Sequence, residues 1–134
     1  MINPIEHART KEAANKYKVE PYVIPADIYG KDNLAGRGGW TWYTGSSSWF
    51  FEAGIRYILG LVINKEELSL KPCIPNEWKE YEIKYKYGNS LYNIKVKNNN
   101  NGEVKRFSVN GTEINEKKIK LQKNGGVFNI EVEI

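Results

Sequence analysis

The sequence predicts an α+β chain: a helical part over residues 1–62 and an antiparallel β-sandwich part over residues 63–134. Three observations predict it. Residues 46–60 carry apolar side chains at helical spacing, and from residue 61 the apolar period changes from 3.6 to 2. Glycine and asparagine pairs then punctuate the alternating runs at short intervals, as antiparallel hairpins require.

The helical part begins with Ile2-Asn3-Pro4-Ile5, which reads as loop. Thr10 caps a short helix over Lys11–Tyr17, with Glu12 in its first turn. Pro21 suits a first helical turn and Gly30 a stop, so a helix is expected between them, starting late or kinked at Pro25. Residues 31–45 form a long loop with glycines at 36, 38, 39 and 45, the kind a compact domain keeps for function. Ser46, Ser47 or Ser48 then caps the strongest helix. Its apolar residues lie nearly all round, which predicts burial.

In the β part, Leu68 and Leu70 alternate with polar neighbours, and Pro72-Cys73-Ile74-Pro75 interrupts the pattern. Tyr81, Ile83, Tyr85 and Tyr87 share one face, opposite Glu82, Lys84 and Lys86. Gly88-Asn89 turns the chain into Tyr92, Ile94 and Val96. Strands follow at 104–109, around 119–121 and at 128–134, with Asn110-Gly111 and Asn124-Gly125-Gly126 as turns.

The chain has 134 residues, 40% hydrophobic and 27% charged, which suffices for a core. It contains no run of about 18 apolar residues, and its N-terminus lacks the basic-then-apolar pattern of a secretory leader. One cysteine, Cys73, excludes an internal disulfide or a cysteine-cluster metal site, and a cytoplasmic location is expected. The net charge of +4 comes from lysines that alternate with apolar residues along strands. That pattern describes solvated sheet faces, so a nucleic-acid partner is not expected.

The segment that carries chemistry is Gly36-Arg37-Gly38-Gly39-Trp40-Thr41-Trp42-Tyr43-Thr44-Gly45-Ser46. A hydroxyl- and glycine-rich stretch at a helix start offers backbone N–H groups and the positive end of the helix dipole to an anion. Tryptophans suit the C–H faces of a sugar, and equally suit plain packing around a buried helix start. Arg37 can pair with an anion or clamp backbone carbonyls. Glu20 can accept hydrogen bonds from sugar hydroxyls, cap a helix or pair with a lysine.

Several uncommon strings occur here in one order: Asn3-Pro4-Ile5-x-His7-Ala8-Arg9-Thr10, Tyr17-Lys18-Val19-Glu20-Pro21-Tyr22-Val23, Ala26-Asp27-Ile28-Tyr29, the Gly36–Ser46 segment, and Pro72-Cys73-Ile74-Pro75-x-x-Trp78. Over roughly residues 2–97 this resembles the C-terminal end of glycoside hydrolase family 94. That family holds cellobiose and chitobiose phosphorylases, 1,2-β-oligoglucan phosphorylases and the C-terminal domain of cyclic β-1,2-glucan synthases. The Gly-Arg-Gly-Gly-Trp-Thr-Trp-Tyr-Thr-Gly form resembles the β-1,2-glucan branch most.

The resemblance implies that residues 1–62 are the last helices and an active-site loop of an incomplete (α/α)6 barrel, with 63–134 the β region beside it. It implies inverting transfer of a glucosyl unit between a β-glucan oligosaccharide and inorganic phosphate as co-substrate, without metal or organic cofactor. Phosphate is expected at Thr44, Gly45 and Ser46, and substrate near Glu20, Tyr22, Arg37 and Trp40. The family's general acid is an aspartate of an earlier barrel segment, and no catalytic residue is expected in this chain. His7 does not match the family's phosphate histidine, which lies upstream. The chain is therefore expected to be a piece of a truncated or split enzyme, inactive without the missing N-terminal part of the barrel. A non-catalytic carbohydrate-binding or interaction module is the alternative.

Overall fold

The computed structural model describes residues 3–20, 22–42, 44–100 and 102–134. The chain is α+β and divides into two compact units, Met1–Glu52 and Ala53–Ile134.

The described residues of the first unit include the helices α1 (Pro4–Ala8), α2 (Lys11–Tyr17) and α3 (Thr44–Glu52). Asn3, expected in a loop, caps α1 through its side-chain oxygen, which accepts from the Ile5 N–H at 3.1 Å. An asparagine followed by a proline at the first helical position is sufficient to start a short helix. Thr10 caps α2 as expected, its hydroxyl accepting from the Ala13 N–H at 3.1 Å. Lys18 ends α2 in the left-handed conformation, donating its N–H to the Ala14 carbonyl. Tyr17 is buried at the end of α2, and the His7 ring stacks on it at 4.1 Å.

The helix expected between Pro21 and Gly30 does not form over residues 22–30; Pro21 itself lies outside the described residues. Pro25 donates no hydrogen bond and disfavours a helical Ile24. The backbone instead pairs across the glycine loop. Ala26 N–H donates to Trp40 O at 2.7 Å, Gly39 N–H to Asp27 O at 2.9 Å and Tyr29 N–H to Arg37 O at 2.9 Å. Ile28 and Gly38 form an antiparallel bridge within this ribbon.

The helix expected over residues 46–60 starts earlier and changes character. α3 begins at Thr44, so Ser46, Ser47 and Ser48 lie inside it rather than ahead of its first turn. A π-helical segment, Ala53–Ile58, follows in the chain, and the Leu59 N–H reaches five residues back to Gly54 O at 2.9 Å. Such segments are rare and short, because their geometry is poorer than the α-helix's.

The described residues of the second unit form eight strands: β1 (Leu61–Asn64), β2 (Glu67–Leu70), β3 (Glu80–Tyr87), β4 (Ser90–Lys97), β5 (Arg106–Val109), β6 (Thr112–Glu113), β7 (Lys118–Lys120) and β8 (Val127–Glu133). They form a three-stranded sheet, β1-β2-β7, and a five-stranded sheet, β3-β4-β8-β5-β6. Tight turns at Gly88-Asn89 and Asn110-Gly111 set the β3–β4 and β5–β6 registers, with Tyr87 opposite Ser90 and Val109 opposite Thr112. β4 and β8 pair in parallel, against the all-antiparallel expectation. Period-2 alternation fixes which face is buried but not strand direction, and β8 returns only after β5, β6 and β7.

Both sheets contribute to one core. Leu61, Leu68 and Leu70 come from the smaller sheet, and Tyr92, Ile94, Val96, Phe107, Ile130 and Val132 from the larger. Tyr92 stacks on Phe128 at 4.7 Å, and its hydroxyl both donates to Gln122 O and accepts the Gln122 N–H. Buried Asn98 donates to Pro75 O and Trp78 O, tying the Pro72–Trp78 segment to the sheet.

Candidate functional site

Residues 36–40 are positioned by the ribbon they form with residues 26–29. Asp27 holds the Trp40 end of this ribbon. One carboxylate oxygen accepts the Trp40 N–H at 3.2 Å, while the Asp27 carbonyl takes the Gly39 N–H. A side chain at Gly39 would collide with that carboxylate, and one at Gly38 with Val19. These two glycines therefore serve close packing rather than a ligand. Nothing local in the sequence signals a bond between residues 27 and 40; it is a product of chain pairing.

Beyond Trp40 the backbone is strained. Trp42 has φ of 68°, a left-handed conformation seldom adopted by a bulky residue, and its ring meets Tyr22 edge-on at 6.2 Å. Backbone of this kind costs on the order of 1–3 kcal/mol and clusters at binding sites. Tyr43 lies outside the described residues. α3 then begins at Thr44, whose backbone is described but whose side chain is not.

Of the three residues expected to hold phosphate, Gly45 is exposed, with open space where a side chain would stand, and Ser46 is half-buried. Both lie in the first turn of α3. No acidic residue occupies that turn, where the positive end of the helix dipole lies.

The four residues expected at substrate all belong to the first unit. Glu20 is half-buried, its carbonyl accepts the Val23 N–H, and its carboxylate joins no ion pair among the described residues. It caps no described helix. Tyr22 and Trp42 form an exposed aromatic pair, and Trp40 is 71% exposed. The Arg37 backbone is fixed from both sides, its N–H donating to Leu34 O and its carbonyl accepting from Tyr29, while its side chain is exposed.

Titration shifts fall away from this segment. Burial raises the Tyr17 phenol in the first unit and the Tyr81 and Tyr85 phenols in the second, where Tyr87 and Tyr92 add to the effect on Tyr85. Among the described residues, no group of three histidine, cysteine or acidic side chains is placed to hold a metal ion. No helix among them is long and apolar enough to cross a membrane. Clefts of about 370 and 620 Å³ lie on the sheets of the second unit, and none of the expected site residues lines them.

Comparison with known proteins matches residues 1–60 to the glycosyl hydrolase 94 superfamily, catalytic domain. The cyclic beta-(1,2)-glucan synthase NdvB of Rhizobium meliloti (strain 1021) is 42% identical over 112 residues, which cover 84% of this chain and 4% of that protein. The solabiose phosphorylase of Paenibacillus borealis is 33% identical over 98 residues, 71% of this chain and 13% of the enzyme. The N,N'-diacetylchitobiose phosphorylase of Vibrio proteolyticus is 36% identical over 116 residues, 84% of this chain and 14% of the enzyme. The chain thus spans only a small fraction of each of these relatives. The ordered motifs of residues 3–46 and these matches together place the chain in the glycosyl hydrolase 94 family, with residues 1–60 corresponding to part of its catalytic domain.

Proposed function

We propose that the chain supplies one wall of a carbohydrate-active site that moves a glucosyl unit between a β-glucan and inorganic phosphate. Thr44, Gly45 and Ser46 contact the phosphate in this reading. The observation that carries it is the first turn of α3, which begins at Thr44, holds no acidic residue and leaves open space over Gly45. Phosphate requires hydroxyl and N–H donors at positive potential, and this turn offers them.

In the inverting reaction a phosphate oxygen bonds to the anomeric carbon as the glycosidic C–O bond breaks. A carboxylic acid gives its proton to the leaving oxygen, and phosphate fills the place that activated water has in an inverting hydrolase. The contribution of this chain is to hold and orient the phosphate. The acid comes from a part of the catalytic domain outside these residues.

The exposure of α3 supports a larger assembly. Trp49 and Phe51 are 72% and 71% exposed, and Phe50 between them is also exposed. Successive residues project about 100° apart on a helix, so Trp49 and Phe51 lie nearly opposite one another. A helix apolar on opposite sides belongs between other elements rather than on a surface. We take α1, α2 and α3 as the last helices of an (α/α)6 barrel and the second unit as the β region that follows it. The exposed Tyr22–Trp42 pair favours, as a second reading, a carbohydrate-binding module that needs no phosphate.

Calorimetric titration of phosphate separates the two. Thr44→Ala combined with Gly45→Ala weakens phosphate binding at this wall if the first reading holds. Unaltered phosphate binding, together with glucan binding that is lost in Trp42→Ala, favours the second.

A further inference from the structure

Between the end of α2 and the glycine loop lies a cleft of about 220 Å³. Lys16, Lys18 and Arg37 line it, together with the amides Asn15 and Asn33 and the apolar Leu34 and Ala35. No carboxylate lines it. Glu12, one turn before Lys16, and Asp32, beside Asn33, belong to the same segments but are not among the lining residues. None of the ion pairs among the described residues involves Lys16, Lys18 or Arg37. Net charge does not account for this grouping, since Met1–Glu52 contains six basic and six acidic residues. Half of its cations converge on one cleft, without a counter-charge in the lining.

The cleft is built rather than incidental. Tyr17, between the two lysines, is 2% exposed, which fixes the backbone that carries both. The Gly38 N–H donates to Tyr17 O at 2.9 Å and joins the loop to the helix end. Two successive turns, Leu34 N–H to Lys31 O and Arg37 N–H to Leu34 O, shape the opposite wall. Gly36, at φ of 88°, lets the Lys16 stem lie on the loop, because a Cβ there would stand 2.6 Å from Lys16 Cε. Cations at a helix C-terminus also suit the helix dipole, but that term does not call for Arg37, which comes from the loop.

We propose that this cleft binds a phosphate group, as a second anion site distinct from Thr44–Ser46. Two ammonium groups and a guanidinium suit a doubly charged tetrahedral oxyanion, with the asparagine amides as further donors. The volume admits a phosphate group together with water, each water occupying about 30 Å³. Leu34 and Ala35 offer an apolar side to the sugar of a phosphate monoester, so the phosphate can be inorganic or carried on a sugar.

The test is titration of the 134-residue chain with inorganic phosphate and with glucose 1-phosphate, in a Thr44→Ala/Gly45→Ala background that removes the other anion site. Saturable binding is expected to persist there. Lys16→Gln with Arg37→Gln lowers it about tenfold or more, through the loss of two charge-assisted contacts. Lys16→Arg with Arg37→Lys retains most of it, and Lys11→Gln, on α2 but outside the cleft, changes it by less than about twofold. The circular dichroism of each variant checks that α2 is intact. Tighter binding of glucose 1-phosphate assigns the sugar ester as ligand, and equal or tighter binding of inorganic phosphate assigns the free anion. Absence of saturable binding in the background variant, or equal losses for Lys11→Gln and the Lys16/Arg37 pair, overturns the site. Loss of phosphorolysis in an assembled enzyme would bear on the Thr44–Ser46 proposal instead.

Discussion

Tyr17 shows how far single residues in this chain are set by their surroundings. Its ring is buried beneath His7, and its hydroxyl has no hydrogen-bond partner among the described residues. A buried hydroxyl left unpaired costs on the order of 1–3 kcal/mol. Tyr17→Phe is therefore expected to be neutral or to stabilise the first unit by about 1 kcal/mol, read by denaturant titration. Tyr81 in the second unit is the opposite case, because its hydroxyl donates to Leu59 O at 2.5 Å. Tyr81→Phe is expected to cost about 1 kcal/mol. Burial raises the Tyr81 phenol above its ordinary value of 10.0. A group raised on folding contributes stability that is fully present below its unfolded pKa and lost as pH rises above it. The second unit should thus weaken above about pH 10, and Tyr81→Phe should flatten that alkaline loss in a pH series of melting curves. At this scale the sequence reveals the Thr10 cap, but not the Asn3 cap or the start of α3. Thr10 is readable because its partner lies three residues away, whereas the Asp27–Trp40 bond spans thirteen and has no local signature.

Elements were legible where one periodicity dominated. Alternation along β3 and β4 marks their buried faces correctly, and the two-residue turn at Gly88-Asn89 sets their register. The parallel pairing of β8 with β4 was not legible, since direction depends on how the chain returns. The segment from Val23 to Gly30 kept a partly helical spacing but found better partners across the loop, and tertiary pairing overrode propensity. α3 was legible as a helix and expected to be buried, yet Trp49 and Phe51 are exposed in the chain by itself. A helix so apolar and so open favours self-association. Trp49→Gln with Phe51→Gln is expected to shift the chain toward monomer in sedimentation velocity while leaving the melting of the second unit unchanged. Unaltered association would place the sticky surface elsewhere.

At the scale of the molecule, family membership was legible and the workings of the site only in part. Within Gly36-Arg37-Gly38-Gly39-Trp40, close packing restricts what the three glycine positions accept, while Arg37 and Trp40 have exposed side chains. The aromatic residues expected at substrate, Tyr22 and Trp40, are exposed, as is Arg37, while Glu20 is half-buried. A site shared with other segments leaves no complete signature in one of them. The chain spans 4–14% of the relatives compared, so the proposal assigns it phosphate positioning and assigns proton donation to a different segment. By that division the 134 residues alone should release no sugar phosphate from β-1,2- or β-1,4-glucooligosaccharides, and measurable turnover in a phosphorolysis assay would refute it. The most direct test of the phosphate wall is an amide NMR titration of the chain with inorganic phosphate. The account predicts saturable shifts of the Gly45 and Ser46 amides that disappear in Thr44→Ala/Gly45→Ala at the remaining Ser46 signal. Shifts confined to the residues around Lys16 and Arg37, with Gly45 and Ser46 unmoved, would contradict it.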